Sequence, residues 1–365
     1  MLIERMPETI AWSGDRSTLE QVHTAYLELL LQAFQQQLAS AEYAEVVQPI
    51  LSLCKQVSDQ AFQRFLSAPE TSWRLLWRGS NPQERAGFFL RSLEAEAARE
   101  GHPISFTRPT WSAVGDICFF PDGQHLEWPQ IDGVMPLDFG SQRAARIDLT
   151  GQAFAAQQPN DPYSDQELSV VGMKLAEALI GVRQVSPLVA DFTTEFTKVL
   201  VLQKDHTTPN HCSSGSHGQF IGRSFVTNLQ STDVTPSAIA DAVIHESIHA
   251  LLYMQQCMQP WGPDELIYDQ TPRVDSPWTG RPLPLRSFIE ASFVWFALAH
   301  FWAYALSKPT FDLQQSRALL SRAVVGFLHT PLPDLLGDAR AYLLPTLVES
   351  IATMQERIQA AWGSP

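Results

Sequence analysis

Asp241-Ala242-Val243-Ile244-His245-Glu246-Ser247-Ile248-His249-Ala250-Leu251-Leu252 is the stretch around which the other segments of the chain fall into place. It is an HExxH motif inside an apolar, helix-compatible run. Residues four apart on an α-helix share one face, with Cβ atoms about 6 Å apart. His245 and His249 can therefore hold one metal ion from the same side. Glu246, beside the first histidine, can hold a water or orient the ligands. Pro236 suits the first helical turn, with Thr235 before it as N-cap. Ala242, Val243, Ile244, Ile248, Leu251 and Leu252 would bury the helix around the polar trio. A solvated face with two idle histidines is the competing reading. The apolar flanks speak against it, because a buried His-Glu-His trio with nothing bound is costly.

The helix should run to about Met258 and stop before Pro260-Trp261-Gly262-Pro263. A proline-rich loop follows, and then a strongly apolar helix over 286–306 that carries Glu290 and His300. A carboxylate in such a setting is nearly always paired or metal-bound. Glu290 lies 290 − 249 = 41 residues past the second histidine. His300 is 300 − 290 = 10 residues further on. At about 100° per residue it points about 80° away from Glu290 and reads as a core-edge histidine. His245, His249 and Glu290 make a two-histidine, one-carboxylate set with open positions. With Zn²⁺ such a set is a peptidase centre, in which Glu246 takes the proton of the bound water. With Fe(II) it is the facial triad of oxygenases, with 2-oxoglutarate and O₂ at the open positions. Spacing alone does not choose between them.

The 365 residues are 45% hydrophobic and 18% charged, ample for a sizeable core. A net charge of −14 argues against nucleic-acid binding, which calls for a basic patch. The N-terminus has no basic region followed by an apolar core, so no signal peptide is expected. No run reaches about 18 uncharged apolar residues, so no membrane span is expected either. Cys54, Cys118, Cys212 and Cys257 show no CxxC spacing, which suits a reduced, cytoplasmic protein.

In order, residues 17–99 read as helical, with Leu19, Val22, Tyr26, Leu29, Leu30 and Phe34 at a 3.6-residue period and further helices over 44–66 and 82–99. Residues 111–120, 131–139 and 145–149 read as strands, and 151–162 as a loop. A helix over 165–180 should stop at Gly181. A strand over 196–202 precedes a polar loop with His206, His211 and His217, and a further strand follows over 219–229. Such a strand can run beside an HExxH helix and hold an extended peptide by backbone pairing. Helices over 313–328 and 334–362 close the chain. The expected fold is α+β and mostly helical, with a small sheet beside the HExxH helix. Its expected divisions are a helical region over 1–100, a small α/β region over 101–190 and the metal-binding region over 191–365.

Over residues 195–305 the chain resembles the HExxH-type modification proteins of ribosomally made peptides, the Fe(II)- and 2-oxoglutarate-dependent peptide β-hydroxylases. The resemblance rests on the 220–229 strand, the HExxH helix, Ser276-Pro277-Trp278, Arg281-Pro282-Leu283, and the helix from Phe288-Ile289-Glu290-Ala291 to His300-Phe301-Trp302. It implies hydroxylation of a side-chain Cβ in a precursor peptide. His245 and His249 would be ligands. Glu290 falls where the third ligand is expected, a position at which many of the family have histidine. Glu246 would then orient a ligand or the substrate. The distal carboxylate of 2-oxoglutarate needs an arginine. Arg281 is the first assignment, with Arg286 and Arg223 next, and Trp278 would pack the loop over the site. Two alternatives remain, a zinc-dependent metallopeptidase of HExxH…E type and a non-catalytic peptide-binding module. Glu290 is followed by Ala291-Ser292-Phe293-Val294, without the acidic residue that many such peptidases carry there.

Overall fold

The HExxH helix forms as its sequence dictates. It spans Pro236–Met258, with Pro236 in its first turn and Thr235 Oγ1 accepting a hydrogen bond from Ala238 N. Gln259 turns to extended backbone just before Pro260. The structure, a computed structural model, describes residues 2–14, 16–77, 81–128, 130–131, 135–138, 163–264 and 273–363. The strand expected over 145–149 and the loop over 151–162 lie outside the described residues. The fold is α+β and mostly helical, with sheets of two, three and five strands.

The chain divides into two compact units that interleave along the sequence. One holds Met1–Thr24, Glu177–Thr193 and Thr235–Pro365; the other holds Ala25–Ala176 and Thr194–Val234. The divisions expected at 100 and 190 are therefore not the boundaries of these units. The reason is long-range packing that local composition does not reveal. Trp12 Nε1, for example, donates to Ala297 O at 2.9 Å, 285 residues away, and its ring lies 5.1 Å from Phe192.

The unit without the motif is built on helices Ser17–Leu38 (its C-terminal part), Val47–Gln56, Asp59–Ser67, Pro69–Leu76 and Pro82–Arg99. Phe34, Phe65 and Phe89 form its aromatic centre, with ring centroids 5.5–6.0 Å apart. The single helix expected over 44–66 is two, because Ser58 starts a second one by accepting from Ala61 N. Strands β1 (Thr110–Trp111), β2 (Ile117–Phe119) and β3 (His125–Glu127) form an antiparallel sheet in that order. Strands β4 (Gln130–Ile131), β5 (Met135–Asp138), β6 (Val199–Gln203), β7 (Ser214–Ser216) and β8 (Arg223–Thr227) form the larger sheet, ordered β4-β5-β6-β8-β7. Its centre is parallel, with Leu200 opposite Ser224, and Val199, Leu200, Val201 and Leu202 are buried. The strand expected over 219–229 is shorter at both ends. Gly222 at φ +88 and Asn228 at φ +61 take left-handed backbone, which ends pairing.

In the unit that carries the motif, the apolar helix spans Leu285–Leu306. Among the described residues it is the one helix long and apolar enough to cross a membrane, yet Phe288, Phe293, Phe296, Phe301 and Trp302 are fully buried within the protein. This unit holds a two-stranded hairpin of β9 (Arg273–Asp275) and β10 (Pro282–Pro284), which packs against the apolar helix, while the strand expected beside the HExxH helix belongs to the other unit. The helix expected to stop at Gly181 spans Asp165–Val185. Gly181 serves packing instead: a Cβ there would lie 2.5 Å from Cζ of Phe311. A helix missed by pattern, Pro187–Phe196, precedes β6. The closing segment is Leu313–Val324, then short turns, then Pro345–Trp362.

His300 is the core-edge histidine the pattern implies. Its ring packs 4.6 Å from Phe296 and 5.8 Å from Trp362, and Nε2 is buried without a hydrogen-bond partner among the described residues. Burial, with a smaller effect from the Arg357 charge, pushes it down from 6.5 to about 4. Neutral His300 therefore contributes fully above pH 6.5, and that contribution is lost as pH falls toward 4. His300→Phe should remove on the order of 3 kcal/mol of acid destabilisation between those pH values. Urea denaturation at pH 7 and pH 4.5 measures it; equal pH slopes for both proteins would contradict it.

Candidate metal centre

His245 and His249 lie one turn apart on the HExxH helix, with ring centroids 5.0 Å apart. Their Nε2 atoms face each other at 3.2 Å. Two nitrogens bound to one metal at about 2.0–2.1 Å, with an angle between about 90° and 110°, lie about 2.8–3.4 Å apart. The pair therefore fits a shared ion without rearrangement. Glu246 is 2% exposed, with Oε1 3.9 Å from His245 Nε2.

Glu290 also reaches this cluster, but on another side of His249. Its Oε2 lies 3.3 Å from His249 Nδ1, the ring nitrogen that does not face His245. Its Oε1 accepts from Arg286 Nε at 2.7 Å. The carboxylate expected as third ligand thus joins the pair through the back of one ring. Accordingly, no set of three His, Cys, Asp or Glu side chains among the described residues converges as a metal cage. Tyr253, four residues after His249, stacks on its ring at 5.7 Å, and the Arg286 guanidinium lies 4.9 Å from the Tyr253 centroid.

His245 has its own surroundings. Trp295 stands edge-on to it at 5.9 Å and stacks on Trp278 at 6.3 Å. Trp278 Nε1 donates to Ala323 O at 3.0 Å, and a Cβ at Gly326 would lie 2.3 Å from the indole. Trp278 thus buttresses the wall that Trp295 presents to His245. The Arg322 guanidinium lies 5.1 Å from the Trp295 ring and pairs with Asp241, whose other oxygen accepts from Trp302 Nε1 at 2.7 Å.

The charges follow from this packing. Burial holds His245 well below 6.5, and the charges of His249 and Arg322 add to the effect. Burial opposes charge on His249 too, but the hydrogen bond and charge of Glu290 outweigh it and raise His249. Glu290 is lowered, since Arg286 and His249 overcome its burial. His245 is therefore kept neutral, the form in which an imidazole nitrogen binds a metal.

The other residues singled out in the sequence have their own surroundings. Arg281 is exposed, and its side chain forms no ion pair among the described residues. Arg223 belongs to the other unit, where it pairs with Glu70 at 2.7 Å. His217 accepts from Gln219 N, and His211 is exposed. Burial raises the Cys257 thiol to about 11, which suits a packed side chain. Sequence reasoning missed Tyr253, Asp241, Trp295 and Arg322. The first two carried a usable signal, four residues either side of the histidine pair on the same helix face. Trp295 and Arg322 carried none. Compared with known proteins, the chain matches no protein-family model and no curated protein.

Proposed function

We propose that this chain is an Fe(II)- and 2-oxoglutarate-dependent hydroxylase that acts on a side-chain Cβ of a ribosomally made precursor peptide. The observation that carries the metal part is the facing Nε2 pair of His245 and His249 at 3.2 Å. The resemblance over 195–305 supports the choice of iron, cosubstrate and peptide. His245 and His249 would hold the metal. Bound iron with 2-oxoglutarate supplies the oxidising power for C–H hydroxylation. The buried Glu246 would orient the ligands or the peptide on this face. The cosubstrate cation must be an arginine not already spent. Arg286 is committed to Glu290, whereas Arg281 is open, which keeps Arg281 the first assignment. The Trp295–Trp278 wall would keep water from one side of His245.

The balance is peptide, 2-oxoglutarate and O₂ giving hydroxylated peptide, succinate and CO₂. The test is incubation of the iron-loaded protein with the precursor peptide encoded beside it, read by mass spectrometry. A gain of one oxygen with stoichiometric succinate is the expected result. A zinc peptidase is favoured by one observation, a buried Glu246 carboxylate near His245 Nε2, as a general base would be. Hydrolysis of the peptide by the zinc form, without added oxygen, would decide for it. Retention of peptide without turnover or metal would decide for a binding module.

A further inference from the structure

Four side chains, His249, Tyr253, Arg286 and Glu290, close a ring. Arg286 Nε donates to Glu290 Oε1 at 2.7 Å, and Glu290 Oε2 lies 3.3 Å from His249 Nδ1. The His249 ring stacks on Tyr253 with 28° between planes, and the Arg286 guanidinium covers Tyr253 in turn. The pair Arg286/Glu290 is four residues apart on one helix, and His249/Tyr253 four apart on another, so each helix presents two members on one face. Glu290 is 5% exposed, and its two oxygens are divided between a guanidinium and an imidazole. A buried carboxylate so divided is satisfied where it stands. Moving an oxygen to the Nε2 side would leave His249 Nδ1 without this acceptor and loosen the Arg286 contact.

We propose that Glu290, held by Arg286, is a positioning residue for His249 and not a third ligand of the metal. This rests on the metal-binding reading above and deepens it. A neutral imidazole carries its proton on one nitrogen. As the acceptor facing Nδ1–H, Glu290 keeps the proton on that nitrogen, which leaves the Nε2 lone pair for the metal. Tyr253 fixes the ring plane. Carboxylates placed behind metal-bound histidines in this way fix tautomer and orientation and raise ligand basicity. The arrangement would let His245 and His249 hold a metal through their facing Nε2 atoms, with Glu290 behind the ring of His249.

The test uses the full chain, Co(II) and Zn²⁺, read by calorimetry and by the Co(II) visible spectrum. E290Q keeps an oxygen that can accept from Nδ1, so it should bind about 10-fold more weakly, and E290A about 100-fold more weakly, both with the wild-type Co(II) spectrum. A changed spectrum in E290Q, or loss of binding beyond about 1000-fold, would make Glu290 a ligand and overturn the proposal while the metal reading stood. Wild-type affinity in both variants would also overturn it. Wild-type protein that binds neither ion would overturn the metal reading and this proposal with it. Should the variants fail to fold, the carboxyl carbon of Glu290 in ¹³C-labelled wild type answers the same question. It should hold its chemical shift on Zn²⁺ addition, and a large shift would place the metal on Glu290.

Discussion

His249→Ala should fold normally and bind Zn²⁺ or Co(II) about a thousandfold more weakly than wild type. Metal sites with four protein ligands are worth about 10–16 kcal/mol at neutral pH, so each ligand contributes roughly 2.5–4 kcal/mol, or about 70- to 900-fold in affinity, and one of only two facing nitrogens falls at the upper end. His249 supplies one of only two nitrogens that face each other on the helix. Its loss leaves His245 with no partner at that spacing. The fold should survive, because truncation leaves Glu290 paired with Arg286 and Tyr253 still covered by the guanidinium. His245→Ala should behave alike. Calorimetric titration of both variants, with circular dichroism as the folding control, measures the effect. A loss of less than tenfold in either would mean that the two histidines do not share an ion. The contrast with Glu290 is informative, since a group behind the ring should cost about 10- to 100-fold where the ring itself costs several hundredfold or more.

Local signals in this chain were legible wherever one residue imposes a physical constraint. Thr235 and Pro236 start the HExxH helix, and Pro260 marks its end, as the sequence implies. The apolar helix after the proline-rich loop was legible within one residue at each end. Errors arose where a tertiary neighbour overrides a local preference. Gly181 stands mid-helix because the Phe311 ring leaves no room for a Cβ. The 219–229 strand reads as regular alternation, but Gly222 and Asn228 bend its ends. The compact units follow other boundaries for a related reason. Segments near residues 1–24 and 177–193 pack with 235–365, and composition contains no record of such pairing.

The site was legible in part. An i, i+4 histidine pair needs only helical geometry to converge, and it does. Glu290 reads as a buried carboxylate, paired or metal-bound, and the resemblance makes it the third ligand; in the structure it is buried between Arg286 and Nδ1 of His249. Which nitrogen of His249 it meets depends on the relative placement of two helices, which spacing along the chain does not encode. Arg286 shows the same limit. A turn before Glu290, it reads equally as a cosubstrate anchor or as an ion-pair partner, and in the structure it is the latter.

The second large effect lies behind His245. Asp241 is 6% exposed and accepts hydrogen bonds from Trp302 Nε1 and Arg322. Burial pushes its carboxyl up, and Arg322 and the indole donor pull it back down. Trp302 is fully buried and packs against Phe301 at 5.0 Å and Phe311 at 5.5 Å. Trp302→Ala removes a large core side chain, at a cost of about 3–5 kcal/mol for lost packing and cavity. It also removes a donor to a buried charged group, worth about 1.5–3 kcal/mol. Since the indole volume and its N–H are lost together, roughly 5 kcal/mol is the expected total, a large share of the 5–15 kcal/mol that holds a domain folded. Trp302→Phe keeps most of the volume and loses only the donor, so it should cost about 1.5–3 kcal/mol. The difference between the two separates packing from hydrogen bonding. In Trp302→Phe, Arg322 still holds Asp241 and still covers Trp295, so metal affinity should stay within a few-fold of wild type. Urea denaturation of the two variants gives the energies. A cost below about 2 kcal/mol for Trp302→Ala would mean that the core closes over the missing indole and that Asp241 finds another donor.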